Sequence, residues 1–457
     1  MPGQARRLLR SFAGGEIAPE MYGRIDLDKM QTGLAKVENF EILPHGPARN
    51  RAGFQWVNEV KDSTKRVRLI PFAYSAEQTM VLEVGDGYCR FHTQGATLLE
   101  ASKVITAISQ PAGLVTSAGH GYSNGDWVFL DDIVGMTQLN TRFAVVSDSA
   151  ANTFRIKDFS GAYITTGTYG AYVSGGTVAR VYQIAQPFAE AHLFDVHYTQ
   201  SADVLSVVHP TYAPRELRRI GATNWQVSTI SFVPGINPPA STGVATGGPG
   251  GGTPVNTYYV STAISADTLE ESEASPVSAA ALIDLAVVGN YVDVTPAAVA
   301  GSLRYNIYKL KTGGLYGYIG QSDGTAFRDD NIEPDMSQTP PESLAPFVGA
   351  GNYPSAVTYV EQRRAFAATD NRTQHLWMTR SATESNLTQS VPLRDDDAIV
   401  MPIKASQQNR IRHLVPLVDL LAFTVGGEFR IFAKNSDALT PASATPKAQS
   451  YVGANNV

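Results

Sequence analysis

The chain holds one cysteine, Cys89, among 457 residues. A single thiol excludes an intramolecular disulfide and a cysteine-based zinc site, and it suits a reducing compartment. Charge is also sparse. Asp, Glu, Lys and Arg make up 17% of the residues, below the usual quarter. The net charge of −6 argues against wrapping nucleic acid by phosphate neutralisation, which needs a basic surface. It leaves room for nucleic acid passing close by. No run of about 18 apolar residues occurs. The opening MPGQARRLLRSFAGGE has basic residues but lacks the apolar segment of a secretory signal. G-x-S-x-G and H-E-x-x-H are missing. GGPGGG at 247–252 is followed by neither Lys-Ser/Thr nor a helical pattern, so it reads as linker and not as a phosphate cradle.

What is present points to a mainly β fold. There are 40 Gly and 20 Tyr, Ser and Thr are plentiful, and helical charge patterning is scarce. One stretch, DLDKMQTGLAKVENF at 26–40, predicts a short N-terminal helix: Asp26 can cap it, and Leu27, Met30, Leu34 and Val37 recur at helical spacing. From residue 67 the pattern becomes strand, polar turn, strand, with Gly85-Asp86-Gly87 as a hairpin turn. Similar hairpins return at 201–221, 363–381 and 420–433.

Two segments interrupt the series. Residues 103–182 have short strands, frequent Gly and an Asn124-Gly125 turn, the texture of a small closed β-barrel. Residues 233–345 open on the Gly/Pro-rich PGINPPASTGVATGGPGGGTP, read as a linker. Strands of a fibronectin type III-like sandwich follow, and PDMSQTPPES closes the segment. Without these inserts the hairpins recur roughly every 40 to 57 residues, the range of propeller blades. The expected architecture is therefore a β-propeller-like scaffold interrupted by a small β-barrel and a β-sandwich. Its parts are an N-terminal arm, helix and assembly segment (1–60), scaffold (61–102), barrel (103–182), scaffold (183–232), sandwich (233–345) and scaffold (346–457). The last hairpin is followed by PASATPKAQSYVGANNV, which reads as lacking a closing strand, so further blades are expected beyond it.

Candidate chemistry is thin. His192, His197 and His209 lie close in sequence, but the first two fall on opposite faces if both sit on one strand, which disfavours a metal site. Asp395, Asp396 and Asp397 lack the alternating spacing of calcium loops and read as a polar turn. Glu270, Glu271 and Glu273 could pair for glycoside hydrolysis, but consecutive strand residues alternate faces. No nucleophile, base and orienter assemble, no cofactor is implied, and the chain is not read as an enzyme.

The run from 11 to 57, SFAGGEIAPEMYGRIDLDKMQTGLAKVENFEILPHGPARNRAGFQWV, resembles the N-terminal signature of the tail nozzle, or tail-tubular-B-like, family of short-tailed phages. The matching elements are Gly14-Gly15-Glu16, Pro19, Tyr22-Gly23-Arg24, Asp26-Leu27, Gly33, Asn39-Phe40, Pro44-His45-Gly46, Arg49, Arg51 and Gly53. The likeness continues through 69–92, 204–219 and 352–382, and covers the scaffold over 11–101, 183–232 and 350–457. It implies a virion component assembled in the host cytoplasm, a ring of about six copies below the portal and adaptor. Its partners would be copies of itself, portal-adaptor ring proteins and tail fibre or spike proteins. Its axial channel would pass double-stranded DNA, and the inserts could touch the host surface. The 103–182 insert resembles the small barrel named for the first catalytic cysteine half of ubiquitin-activating enzymes. Cys89 lies outside that insert, so cysteine chemistry does not carry over. The rival class is a glycan-binding or glycan-cleaving tail protein.

Under the ring resemblance the assembly surface would fall on Arg24, His45, Arg49, Arg51 and the basic tip Arg6, Arg7 and Arg10. Pro44 and Pro47 fix φ while Gly46 and Gly53 open otherwise closed conformations, giving Arg49 and Arg51 a fixed platform. Their planar forks suit carboxylates of an adjacent subunit. An intramolecular clamp to Glu16 or Asp26 is the other reading. For the basic tip, a solvated terminus is the alternative to a docking arm.

Overall fold

The structure, a computed structural model, describes residues 9–75, 78–311, 313–404 and 409–455. It is mainly β, and its contacts divide the chain into two compact units, Met1–Asn58 and Glu59–Val457. The larger unit contains four antiparallel sheets of the meander type used by propeller blades. The first blade runs Arg68–Ala73, Thr79–Gly85, Tyr88–Thr93 and, after a long excursion, Gln183–Ala185. The second is His197–Ser201, Val204–His209, Tyr212–Gly221 and Asn224–Thr229. The third is Ala356–Val360, Arg363–Ala367, His375–Met378 and Ile399–Pro402. The fourth is Ile411–Pro416, Leu420–Thr424, Gly427–Ala433 and Ala444–Ser450.

Alternation sets the faces. In Arg68–Ala73, Ile70 and Phe72 are buried while Leu69 faces solvent. The turn that follows the second strand needs Gly87 at φ +75, a conformation that glycine adopts without strain. Apolar side chains then glue the blades in chain order. Phe72, Leu82 and Phe91 pack with Leu205, Leu217 and Trp225 between the first and second. Val208 and Phe232 pack with Phe366 and Trp377 between the second and third. Ala365, Leu376 and Met378 pack with Ile411, Leu420 and Ile431 between the third and fourth. The first strands face one another: His197–Ser201 packs on Ala356–Val360, which packs on Ile411–Pro416. In the second, third and fourth blades the last strand is therefore left at an outer edge.

A seven-stranded sheet interrupts the first blade between its third and fourth strands. Its strands span Lys103–Val104 to Ser174–Arg180 around a core of Val115, Val128, Leu130, Val146, Phe154 and Val178. The second insert packs Thr242–Gly247, Tyr291–Pro296 and Phe327–Asp329 on one side. Tyr259–Ser265, Ser302–Leu310 and Tyr316–Ser322 form the other. Tyr259, Val292, Val294 and Ile307 fill the space between.

Three expectations need correction. Residues 26–40 do not form a helix; the four-residue 3-10 turn Asp28–Gln31 is what forms, and Gly33–Leu34 pairs in parallel with Gly15–Glu16. Leu27, Met30, Leu34 and Val37 are all only half-buried. The helical stripe has no core to bury against, and amphipathic helices draw most of their stability from such packing. Gly33 also sits where a Cβ would lie 1.9 Å from Ile17 Cδ1, so the close approach of the two strands wins locally. Within the supposed linker, Thr242–Gly247 is a strand, register-paired with Tyr291–Pro296, and Val244 packs into the sandwich core. The stretch after the last hairpin does supply a fourth strand, Ala444–Ser450, paired with Gly427–Ala433.

Candidate assembly surface

The residues singled out as an interface lie in the N-terminal unit, and its local structure explains their placement. Phe40–Ile42 and Ala48–Asn50 form a hairpin with Glu41 opposite Arg49. The turn is closed by Gly46 N–H donating to Leu43 O at 2.9 Å, with Gly46 at φ +110. Phe12 N–H donates to Gly46 O at 2.8 Å, tying the start of the arm to the turn.

Arg49 reaches across this hairpin to Glu41, 2.7 Å from its carboxylate. The partner of the clamp is thus neither Glu16 nor Asp26. Glu16 accepts the Val37 N–H at 2.8 Å. Asp26 takes a bidentate pair from Arg24, which holds its carboxyl below the usual carboxylate range. Arg51 lies with its guanidinium 4.8 Å from the Phe54 ring centre, and its N–H donates to Asn39 O. His45 and Arg10 are exposed, and Arg6 and Arg7 lie outside the described residues. Both members of the Arg49–Glu41 pair are largely solvent-accessible, so the pair is worth at most about 1 kcal/mol. It orients Arg49 without consuming it.

The larger feature is one that the arginine pattern hides. Among residues 9–58 a single residue, Gly46, is buried. Ile25 is 85% exposed, Phe54 91% and Trp56 69%. Large exposed aromatics on a segment with so little core form a candidate interaction surface. The sequence signal was available in the spacing Phe-x-Trp within the uncharged AGFQWV at 52–57.

The other candidates resolve into structural work. His192 lies on the 3-10 turn Glu190–His192, not on a strand with His197. Its ring packs at a tilt against His209 with centres 4.7 Å apart, and His197 packs likewise against His413 at 5.0 Å. His192, His197 and His209 share a cleft with Asp195, Asp370, Arg410 and Arg412, and no metal-binding group of three occurs among the described residues. Burial, then the neighbouring cations and rings, pushes His197 and His209 down to about 4. Asp397 is fully buried and accepts the N–H groups of Ser390 and Arg394 at 2.9 and 2.8 Å. Arg380 pairs with both Asp396 and Asp397, so the acidic run locks a loop. Glu271 Oε1 accepts from Tyr308, Thr262 and Asn306 at 2.5, 2.7 and 2.9 Å. Glu270 accepts from Asn386 and from the Gly235 N–H. Glu273 enters through its backbone carbonyl, which takes the Ser272 hydroxyl.

The barrel then finds a counterpart. Residues 112–182 match the family model of the FCCH domain of ubiquitin-activating enzyme E1. No curated protein matches the chain. The matched segment carries no cysteine. Cys89 lies in the first blade, and burial holds its thiol far above the usual range, away from the thiolate that nucleophilic chemistry needs.

Proposed function

We propose that this chain is a structural component of a phage tail, without catalytic activity. Copies assemble into a ring, of about six by family resemblance, whose axial channel conducts double-stranded DNA into the host. The observation that carries the assembly part is the N-terminal unit: residues 9–58 bury one residue and expose Phe54 and Trp56. The ordered signature from 11 to 57 that resembles the nozzle family coincides with that unit and supplies the tail part. The acidic balance suits a conduit, because a wall that binds phosphates through lysine and arginine would retain DNA and not pass it.

Portal-adaptor ring proteins and tail fibre or spike proteins are the partners that the reading names, and the virion is the location. Electron microscopy of the source particle's tail tests it. A ring on the tail axis, with a pore of about 20 Å or more for a B-form duplex, supports the reading. Density for the chain on off-axis fibres or spikes overturns it.

One cleft favours the glycan-handling alternative enough to name it. Glu270, Glu271, Glu384 and Asp396 line a space with Arg380 and Arg394, where the sandwich meets the third blade. No aromatic side chain lines it among the described residues, so the stacking platform that sugars favour is missing. Binding of oligosaccharides to the chain, abolished by Glu384→Gln, would promote this alternative.

A further inference from the structure

We infer that residues 52–57 form a donated strand that pairs with the outer edge of the second blade in a second copy of this chain. The inference deepens the ring reading by naming the two surfaces, and the self-association it describes rests on that reading.

The donor is Ala52-Gly53-Phe54-Gln55-Trp56-Val57. Its backbone pairs with no other backbone among the described residues, and no strand is formed there. Phe54 and Trp56, two apart, fall on one face of an extended chain, and both stand in solvent. The segment contains neither proline nor charge. An extended, uncharged run with alternate aromatic anchors is what strand addition uses: main-chain hydrogen bonds give affinity, and pockets for alternate side chains give register.

The acceptor follows from how the edges are guarded. An open sheet edge invites pairing, and proteins blunt it with short strands, proline or lysine. The first blade ends on Gln183–Ala185, only three residues long. The third ends on Ile399–Pro402, four residues closed by proline. The fourth ends on Ala444–Ser450, which carries Pro446 and Lys447. The second ends on Asn224–Thr229, six residues, NWQVST, with no proline and no charge. Its Trp225 N–H is taken by the Tyr182 hydroxyl at 2.9 Å, which leaves the stretch from Gln226 to Thr229 for a newcomer.

Charge selects a second copy as the occupant. Residues 1–58 carry eight Lys and Arg against six Asp and Glu, a net +2. Residues 59–457 carry 28 against 36, a net −8. A basic arm and an acidic body are complementary between copies. A contact between unlike surfaces is head-to-tail, the kind that closes into rings.

The test uses the full chain with Gln55→Cys and Gln226→Cys, both at exposed positions, under mild oxidation. Cys89 is 3% exposed and does not compete. The expected result is a ladder of covalent multimers on non-reducing electrophoresis. Adding Phe54→Ala and Trp56→Ala should reduce the ladder at least tenfold with an unchanged circular dichroism spectrum. Three outcomes overturn the inference: a cross-linked monomer, equal cross-linking by Gln55→Cys with Lys447→Cys, or no cross-link. These read the interface alone, whereas microscopy of the particle reads the tail assignment. An on-axis ring without the cross-link sinks only the strand, and a ladder from a protein found on fibres sinks only the conduit.

Discussion

The guanidinium of Arg90 lies 4.1 Å from the centre of the Trp127 ring, and the contact joins the first blade to the inserted barrel. Arg90 is 1% exposed, and its two terminal nitrogens have no hydrogen-bond partner among the described residues. The ring face therefore does much of the work of holding this cation, with Glu83 supplying charge at longer range. Phe159 also stacks on the same indole, with ring centres 4.2 Å apart. Trp127→Ala should cost about 3–5 kcal/mol, as for other buried tryptophans, because it removes packing and leaves a buried charge uncovered. Denaturant unfolding of the full chain measures this. Limited proteolysis should also begin to cut near residues 98–103, where the barrel departs from the blade.

A second buried cation links two blades. Arg364 is fully buried and sits 2.8 Å from Glu216 of the second blade and 2.9 Å from Glu384. Arg364→Ala strands Glu216, itself mostly buried, and should destabilise by about 3–5 kcal/mol. Arg364→Met combined with Glu216→Gln removes the charge together with its partner and should recover most of that loss. Thermal unfolding of the single and double variants checks the pair. Equal loss in both would mean that packing, not charge, is what Arg364 supplies.

The blades were legible because their turns are local chemistry: Gly85-Asp86-Gly87 needs no distant partner to be recognised. The helix at 26–40 was not, because Leu27, Met30, Leu34 and Val37 have the spacing but lack a surface to bury against, and spacing alone does not report that. Thr242–Gly247 was hidden by composition, since its two glycines and the Gly/Pro flanks outweigh the alternation around Val244. In the candidate surface, Arg49 was visible but Glu41 was not, although each lies four residues from His45 at the centre of the turn. That symmetry fixes the hairpin register and could have named the pair. Arg364 could not have been found, because nothing in RRAFA shows that both arginines are buried or that the second one meets Glu216 and Glu384.

Acid should loosen the blade junctions. His197 and His209 are held at about 4 by burial first, then by His413 and Arg68 around the former and His192 around the latter; Asp195 and Asp370 oppose the shift and Arg410 adds to it. Their folded values lie below the unfolded value near 6.5. The stability that they contribute is therefore complete above about pH 6.5 and is lost as pH falls towards 4. Each group adds a slope of up to about 1.4 kcal/mol per pH unit within that window. Melting temperature should fall across it, and His197→Asn with His209→Asn should flatten the curve. An unaltered curve in the double variant would assign the acid sensitivity to other groups.

Gly46, the single buried residue among the described residues 9–58, offers the sharpest local test. Gly46 holds φ +110, and a Cβ there would meet Ser11 Oγ at 2.2 Å. Gly46→Ala should cost about 1–3 kcal/mol of local structure, since the backbone is disfavoured for any side chain and the Phe12–Gly46 tie must give way. Gly53→Ala is the control, because nothing lies within 4 Å of its Cβ position. Hydrogen exchange should quicken at the Gly46 and Phe12 amides in the first variant only. The unfolding midpoint of residues 59–457 should stay put in both, because no core residue of the blades is altered. Oxidative cross-linking through Gln55→Cys should fall severalfold with Gly46→Ala and persist with Gly53→Ala. A loss with Gly53→Ala alone would show that the 52–57 strand depends on its own glycine and not on the hairpin that presents it.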